Sequence, residues 1–318
     1  MLPGFRTAAA VERGVERNIL LRTWGGIGDQ ICAEPTLRYA LRSFRDCEVS
    51  LASERPELFS HLSFKRVYHI PEEKPDYERY LVLDTITPMD DSNLVWQFMS
   101  HMLVNCVDFP SLCALRCQIP VADREVFLPV PRQRHLALND FTNGVCVHPG
   151  RHWQSKTFPA DWWNGVLSGL LRAGKSPVIV GGKTDDNRGT VDVDTTGCVD
   201  LRDKLSLTES IWLLQRSRVL LTNDSAPLHM AASRGFEHAP AWIGYVATCK
   251  HPDMITHWRF GRWGRRMRNL GLGGIWDVVD YCPNRAQELS AERVPEETLL
   301  SWLPDPRAVS DWAIERLG

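Results

Sequence analysis

The 318-residue chain lacks most of the features that would assign it at a glance. No apolar run reaches the ~20 residues that a membrane-spanning helix needs. The stretch after Met1 has no apolar centre of the kind that drives secretion, so a cytoplasmic protein is expected. There is no Cys-x-x-Cys pair and no His-Glu-x-x-His motif. Nine cysteines, an odd number scattered through apolar segments, argue against a disulfide frame and for buried reduced thiols. Cys113 and Cys117 have helical spacing but no second ligand pair, so no metal site is expected. A net charge of −2 gives no general attraction to nucleic acid or to anionic lipid. Two nucleotide-binding motifs fail on one residue each. A dinucleotide fingerprint counted from Gly26 meets Ile31 where its third glycine belongs, and a phosphate loop ending at Gly182-Lys183-Thr184 meets Pro177 where it must begin.

What remains is an alternation of strand and helix signals. Strands are expected at 18–23, 47–52, 65–70 and 79–84, with helices at 31–44, 55–62 and 92–107 between and after them. Residues 119–143, with Pro120, Pro129 and Pro131, break the pattern and read as a domain connection. The alternation restarts with strands at 145–148, 176–180, 218–222 and 241–246, a helix from Trp162, and another that Thr208 caps. A last helix is expected at 305–317. This is the pattern of an α/β protein built from two doubly wound, Rossmann-like halves facing a central cleft. The divisions are 1–135, 136–304 and a terminal helix in 305–318 that packs back on the first half.

Two segments carry chemistry. Thr222-Asn223-Asp224-Ser225-Ala226-Pro227-Leu228-His229 follows an apolar strand and opens a helix, with Asp224 or Ser225 as N-cap, Pro227 in the first turn and Gly235 as a stop. Amide groups at such a helix start suit a phosphate. Trp24-Gly25-Gly26-Ile27-Gly28-Asp29 follows the first strand, so its glycines let the backbone approach a ligand and Asp29 lies at a strand's carboxyl end. Each residue also has a plainer role. Asp29 would serve equally as a helix cap, Lys156 and Arg151 as solvated cations, and His229 as a packed core histidine.

Taken together, Gly28-Asp29 with Pro35-x-Leu37-Arg38, Lys156 before Phe158-Pro159, and the block Asn223-Asp224-Ser225-Ala226-Pro227-x-His229-x-Ala231-Ala232 resemble glycosyltransferase family 9. These are the heptosyltransferases of lipopolysaccharide synthesis and their relatives, with a GT-B fold. The resemblance implies that Asp29 is the base that activates the acceptor hydroxyl. Gly28, Arg151, Lys156, Gly182, Asp185, Asp224, Ser225, Ala226 and His229 would surround the donor, a nucleotide-diphosphate sugar acting as co-substrate, with no other cofactor and no metal. One carboxylate opposite the leaving diphosphate implies inversion at the transferred carbon.

The segment 258–268 departs from the family. Its arginines and aromatics, among them Arg259, Arg262, Trp263 and Arg265, suit a polyanionic acceptor: a phosphorylated glycan, a glycolipid that would bring peripheral membrane contact, or DNA carrying a hydroxylated base. The same segment would serve as a solvated basic loop. No obligate protein partner is indicated. A non-catalytic nucleotide- or glycan-binding protein and a nucleotide-sugar 2-epimerase stand as the competing readings of the chain.

Overall fold

A computed structural model describes residues 18–85, 109–123, 125–128, 136–151, 157–182, 189–223, 225–233, 242–246, 267–269, 297 and 303–318. The expected helix at 92–107 lies outside them.

Two parallel sheets organise the chain. The first is built on β1 (Asn18–Thr23), flanked by β2 (Glu48–Ser53) and β4 (Leu81–Asp84), with β3 (Val67–His69) at the edge beside β2. Ile19, Leu20 and Leu21 of β1 are all fully buried. A parallel strand covered on both faces has no polar side, so its sequence is an unbroken apolar run and not an alternation. The second sheet has the order β12-β11-β10-β5-β7-β9, from β5 (Val145–His148), β7 (Val178–Ile179), β9 (Val199–Asp200), β10 (Val219–Asn223), β11 (Trp242–Val246) and β12 (Met267–Asn269). A small antiparallel pair, β6 (Gly150–Arg151) with β8 (Gly189–Thr190), stands just past the end of β5.

The helices are α1 (Ile27–Ser43), α2 (Phe109–Cys117), α3 (Ala160–Arg172), α4 (Leu207–Arg216), α5 (Ala226–Ala232) and α6 (Pro306–Leu317). Several boundaries differ from expectation for local reasons. The helix expected at 31–44 begins at Ile27, because Gly26 is its N-cap and Asp29, the third residue in, accepts the Gly26 N–H at 3.0 Å. The segment 55–62 forms only a 3₁₀ turn, Pro56–Phe59, which seats Leu58 and Phe59 in the core. Thr208 does not cap α4. Ser206 does, its hydroxyl facing the Glu209 N–H while the Glu209 carboxylate receives the Ser206 N–H at 2.7 Å. Helix α5 ends at Ala232 with Ser233 as C-cap, short of Gly235.

The terminal helix α6 forms as expected but packs on the second half, not the first. It lies along α3, where Gly165 and Gly169 open a groove: a Cβ on Gly169 would collide with Ser310, and one on Gly165 would meet Pro306 Cβ at 2.9 Å. Trp162 Nε1 donates to the Pro304 carbonyl at 2.8 Å and anchors the approach to α6.

The halves share one hydrophobic core. Ile31 and Leu37 of α1 belong to the same cluster as Leu213 of α4 and Leu228 and Ala231 of α5. The connecting stretch is irregular, yet it is tied down. Val126 and Leu128 are buried in that cluster, and the fully buried Glu34 of α1 accepts from Phe127 N at 3.0 Å, Arg38 Nε at 2.8 Å and pairs with His61 Nε2 at 3.3 Å. Arg38 reaches on to the Glu125 carbonyl at 2.8 Å. A buried carboxylate is tolerable only when satisfied in this way. Cys32, Cys113, Cys117 and Cys146 are buried and form no disulfide, and burial pushes the thiols of Cys117 and Cys146 up to about 12. No helix among the described residues is long and apolar enough to cross a membrane.

Candidate functional site

The start of α1 and the start of α5 meet. Gly28 lies so close to α5 that a Cβ there would sit 3.0 Å from His229 Cδ2 and 3.6 Å from Ala226 Cα. One turn further along α1, Cys32 Sγ is 3.6 Å from His229 Nδ1. The Gly-Asp loop of the first half and the Ser-Ala-Pro-x-His segment of the second are therefore in contact, through residues about two hundred positions apart in the chain.

The first wall is built locally. β1 ends at Thr23, and the chain turns through Gly25, whose φ of +93° lies in the left-handed region that favours glycine. Gln30, fully buried, donates from Nε2 to the Gly25 carbonyl at 3.0 Å and accepts from Ser53 Oγ at 2.8 Å, which ties the turn to the end of β2. Behind it, Arg22 is held by Asp84 at 2.5 and 2.7 Å and lies 5.6 Å from the Trp24 ring and 5.1 Å from that of Tyr77. Asp29 thus has both roles open to it at once in position. It stands at the strand end, and one of its carboxylate oxygens receives the Gly26 N–H.

The second wall gathers at the ends of β5, β7 and β10. His148 and Thr222 are register partners on adjacent parallel strands, so their side chains stand side by side. His148 Nδ1 is 3.2 Å from both Thr222 Oγ1 and Ser225 Oγ. Ser225 is the N-cap of α5 by backbone conformation, but its hydroxyl makes no cap bond. It donates to Asn223 Oδ1 at 2.7 Å. Asn223 is fully buried and packs so tightly on Gly150 that a Cβ there would strike its amide. Gly181, at φ +120°, brings the end of β7 against His148: a Cβ would lie 2.8 Å from His148 Cδ2. Burial pushes the His148 imidazole down to about 4, so it is neutral at ordinary pH. Gly182 follows, its carbonyl accepting from Thr190 Oγ1 at 2.8 Å. The pair β6–β8 sets Arg151 opposite Gly189 in the backbone register.

Of the residues expected at the site, Gly28, Ala226 and His229 come together at the α1–α5 contact, with Asp29 and Ser225 next to Gly28 and Ala226 in the chain, and Gly182 and the backbone of Arg151 lie at neighbouring strand ends. Lys156, Asp185, Asp224 and the segment with Arg259, Arg262, Trp263 and Arg265 lie outside the described residues. The phosphate seat is also narrower than a long helix would give. α5 has seven residues, Pro227 offers no N–H, and Leu228 N already bonds Ser225 O at 3.1 Å. Sequence reasoning missed His148 and Thr222 as site residues and used Asn223 only as part of a motif. The one trace of His148 was a polar residue closing the apolar run Val145-Cys146-Val147. Among the described residues no group of three or more His, Cys, Asp or Glu side chains is placed to hold a metal ion.

Comparison with known proteins bears on the fold and on the family. Residues 111–236, from α2 through α5, match the model of glycosyltransferase family 9 (heptosyltransferase). Among solved structures, the family 9 glycosyl transferase of Veillonella parvula DSM 2008 is similar at a TM-score of 0.59 and 13% identity, covering 90% of this chain and 96% of that one. The iron-containing dodecameric glycosyltransferase TibC of enterotoxigenic E. coli H10407 is similar at 0.64 and 15%, covering 95% and 76%. The E. coli heptosyltransferase WaaC with ADP is similar at 0.53 and 14%, covering 94% and 99%. No curated protein sequence matches the chain. At these identities the structures speak for the fold, and the family match, which contains Ser225, Ala226 and His229, speaks for the activity. The chain is thus GT-B-like in fold, and its residues 111–236 are similar to the glycosyltransferase family 9 (heptosyltransferase) domain.

Proposed function

We propose that this chain moves a sugar from a nucleotide-diphosphate sugar to a hydroxyl of a polyanionic, glycan-type acceptor, by single displacement with inversion and without a metal. ADP-heptose is the first donor to test, because TibC and WaaC are described with ADP-D-beta-D-heptose and ADP respectively. The observation that carries the reading is the approach of Gly28 to Ala226 and His229, which sets a carboxylate-bearing strand end beside the segment matched to the donor-binding block.

In this reading the Asp29 carboxylate takes the proton of the acceptor hydroxyl as its oxygen forms the new bond to the anomeric carbon. The bond from that carbon to the diphosphate breaks on the opposite face, and the electron pair leaves with the nucleoside diphosphate. The Gly26 N–H fixes the direction of the carboxylate. Charge on the leaving group is met by the amides around Ser225 and Ala226 and by Lys156 and Arg151, and the arginines of 258–268 hold the acceptor. Lys and Arg serve this purpose without a divalent ion, which is the ground for proposing metal independence.

The test is donor consumption with ADP-heptose and with UDP-, GDP- and CDP-sugars, with and without phosphorylated glycan acceptors, in EDTA and in added divalent ions. Nucleoside diphosphate release that needs an acceptor and survives EDTA is expected, with the product's anomeric configuration opposite to the donor's by proton NMR. A protein that leaves every donor intact under all these conditions is not the transferase proposed.

A further inference from the structure

The stretch that joins the two halves is held from both sides through neighbouring backbone groups. The Phe127 N–H donates to the Glu34 carboxylate of α1 at 3.0 Å, and the next carbonyl, that of Leu128, accepts from Gln215 Nε2 of α4 at 3.0 Å. Glu34 is fully buried and Gln215 is 2% exposed, so both bonds lie out of water. A carbonyl can only accept, which fixes the Gln215 amide with its nitrogen toward the connection. The same nitrogen donates to Ser233 Oγ at 2.9 Å, and Ser233 Oγ donates to the Met230 carbonyl at 2.6 Å. Ser233 is the C-cap of α5, and its N–H donates to the His229 carbonyl at 3.0 Å. One side chain of α4 thus ties the connection to the end of α5, while one side chain of α1 ties the same connection to α1.

These are the two helices that meet at Gly28, Ala226 and His229. Glu34 lies about 9 Å along α1 from Gly28, at 1.5 Å per residue. The pin is therefore behind the contact, at the far ends of both helices. A helix of seven residues has too few bonds of its own to hold a direction, and the start of α5 carries no side-chain cap bond. How α5 leans on α1 thus depends on what anchors its C-terminal end. We propose that Gln215 is a positioning residue for sugar transfer. By fastening the end of α5 to the connection that Glu34 fastens to α1, it sets the spacing of the two walls. This rests on the transfer reading given above.

Gln215→Met keeps the length of the side chain and removes both donated bonds. Ser233→Ala removes only the branch to α5. Ser206→Ala is the control, because it loosens the helix that carries Gln215 without touching either bond. Two readouts are taken on the full chain, with melting temperature recorded for every variant. The first is steady-state ADP release from ADP-heptose with a phosphorylated glycan as acceptor. The second is the Cε1–H resonance of His229 in protein carrying isotope-labelled histidine, identified by its loss in His229→Gln; it needs no substrate. Q215M is expected to lower kcat about tenfold and to keep KM for ADP-heptose within about threefold, since misplaced walls weaken the transition state more than the bound donor. It should also move the His229 resonance. S233A should lower kcat about threefold and move the same resonance, and the double variant should be no slower than Q215M alone. S206A should melt lower and leave both readouts as in the parent.

A Q215M protein that melts lower but keeps the parent's kcat and His229 resonance would make Gln215 purely structural and overturn the proposal. So would S206A matching Q215M in both readouts, or additive losses in the double variant. If Q215M does not fold, S233A decides by the same two readouts. If the unaltered protein releases no ADP from ADP-heptose, the proposed donor is wrong and the transfer reading fails for it. The His229 resonance then decides the spacing role by itself: moved in Q215M and unmoved in S206A upholds it, and unmoved in both overturns it.

Discussion

The two walls of the site are held by different means. Asp29 is fixed from three residues away, by the Gly26 amide, inside a turn that Gly25 makes possible. Ser225 is fixed by a histidine 77 positions earlier and by an asparagine whose own place depends on Gly150. One wall is a local motif, while the other is a convergence of three strand ends. Local fixation tolerates change elsewhere in the molecule; convergent fixation ties the donor side to the integrity of the whole second sheet. Catalysis in the proposed scheme uses the local wall for its proton transfer and the convergent wall for charge.

The sharpest way to break this comparison is at Asp29, where two roles share one side chain. Asp29→Asn keeps an oxygen to receive the Gly26 N–H but cannot take a proton. The turnover number should fall by roughly 10²–10⁴-fold, the usual worth of a positioned base, while melting temperature and ADP affinity stay near those of the parent. Single-turnover kinetics with the parent as reference decides it. A large drop in melting temperature with only a small drop in rate would show that the helix cap is the main role of the residue.

The convergent wall should reveal itself in acid. The folded-state imidazole of His148 titrates near 4 and an ordinary one at 6.5, so the unfolded chain takes up the proton first as the pH falls. The contribution is complete above pH 6.5, declines through the interval, and is fully lost below about 4. A gap of this size corresponds to roughly 3 kcal/mol. Urea midpoints compared between pH 7 and 4.5 should show a slope that His148→Asn lacks. A histidine variant with the same slope as the parent would assign the acid sensitivity to other groups.

How much of this was legible follows from the same contrast. The parallel α/β plan, the strand at 18–23 and the Gly-Asp turn could be read from residues near one another in the chain, because apolar runs and turn chemistry are local. The inward turn of the Ser225 hydroxyl could not, since its cause is register between β5 and β10. The start of α1 at Ile27 was missed because three glycines suggested a longer loop, whereas the Asp29 carboxylate stabilises the helix into it. The packing of α6 was misjudged for a related reason. Gly165 and Gly169 form the groove that receives α6 only through tertiary packing, which no local pattern announces.

Gly28 tests whether the walls must stay in close contact. Its Cβ would lie at 3.0 Å from His229, tight enough that the imidazole must shift by a few tenths of an ångström. Alanine there also improves helix propensity by up to ~1 kcal/mol, so the two effects on stability largely cancel. Gly28→Ala should melt within a few degrees of the parent yet transfer sugar about tenfold more slowly, as a displacement of a few tenths of an ångström at a reacting geometry implies. Unchanged transfer would mean that His229 is simply a packed residue.

The smallest effect belongs to a site that has local fixation but no place in either wall. Ser206 caps α4 through the same kind of reciprocal bond that Asp29 makes in part, with Glu209 as its partner. Ser206→Ala should cost about 1 kcal/mol by urea denaturation and leave the kinetics of transfer unaltered. Ser206 thus calibrates Asp29. The stability lost at Ser206 sets the scale of a cap in this fold, and whatever Asp29→Asn loses in rate beyond that scale belongs to proton transfer. If Ser206→Ala slowed transfer as much as Gly28→Ala, the shared core of α4, α5 and α1 would be transmitting helix stability to the site, and the division between a local and a convergent wall would no longer hold.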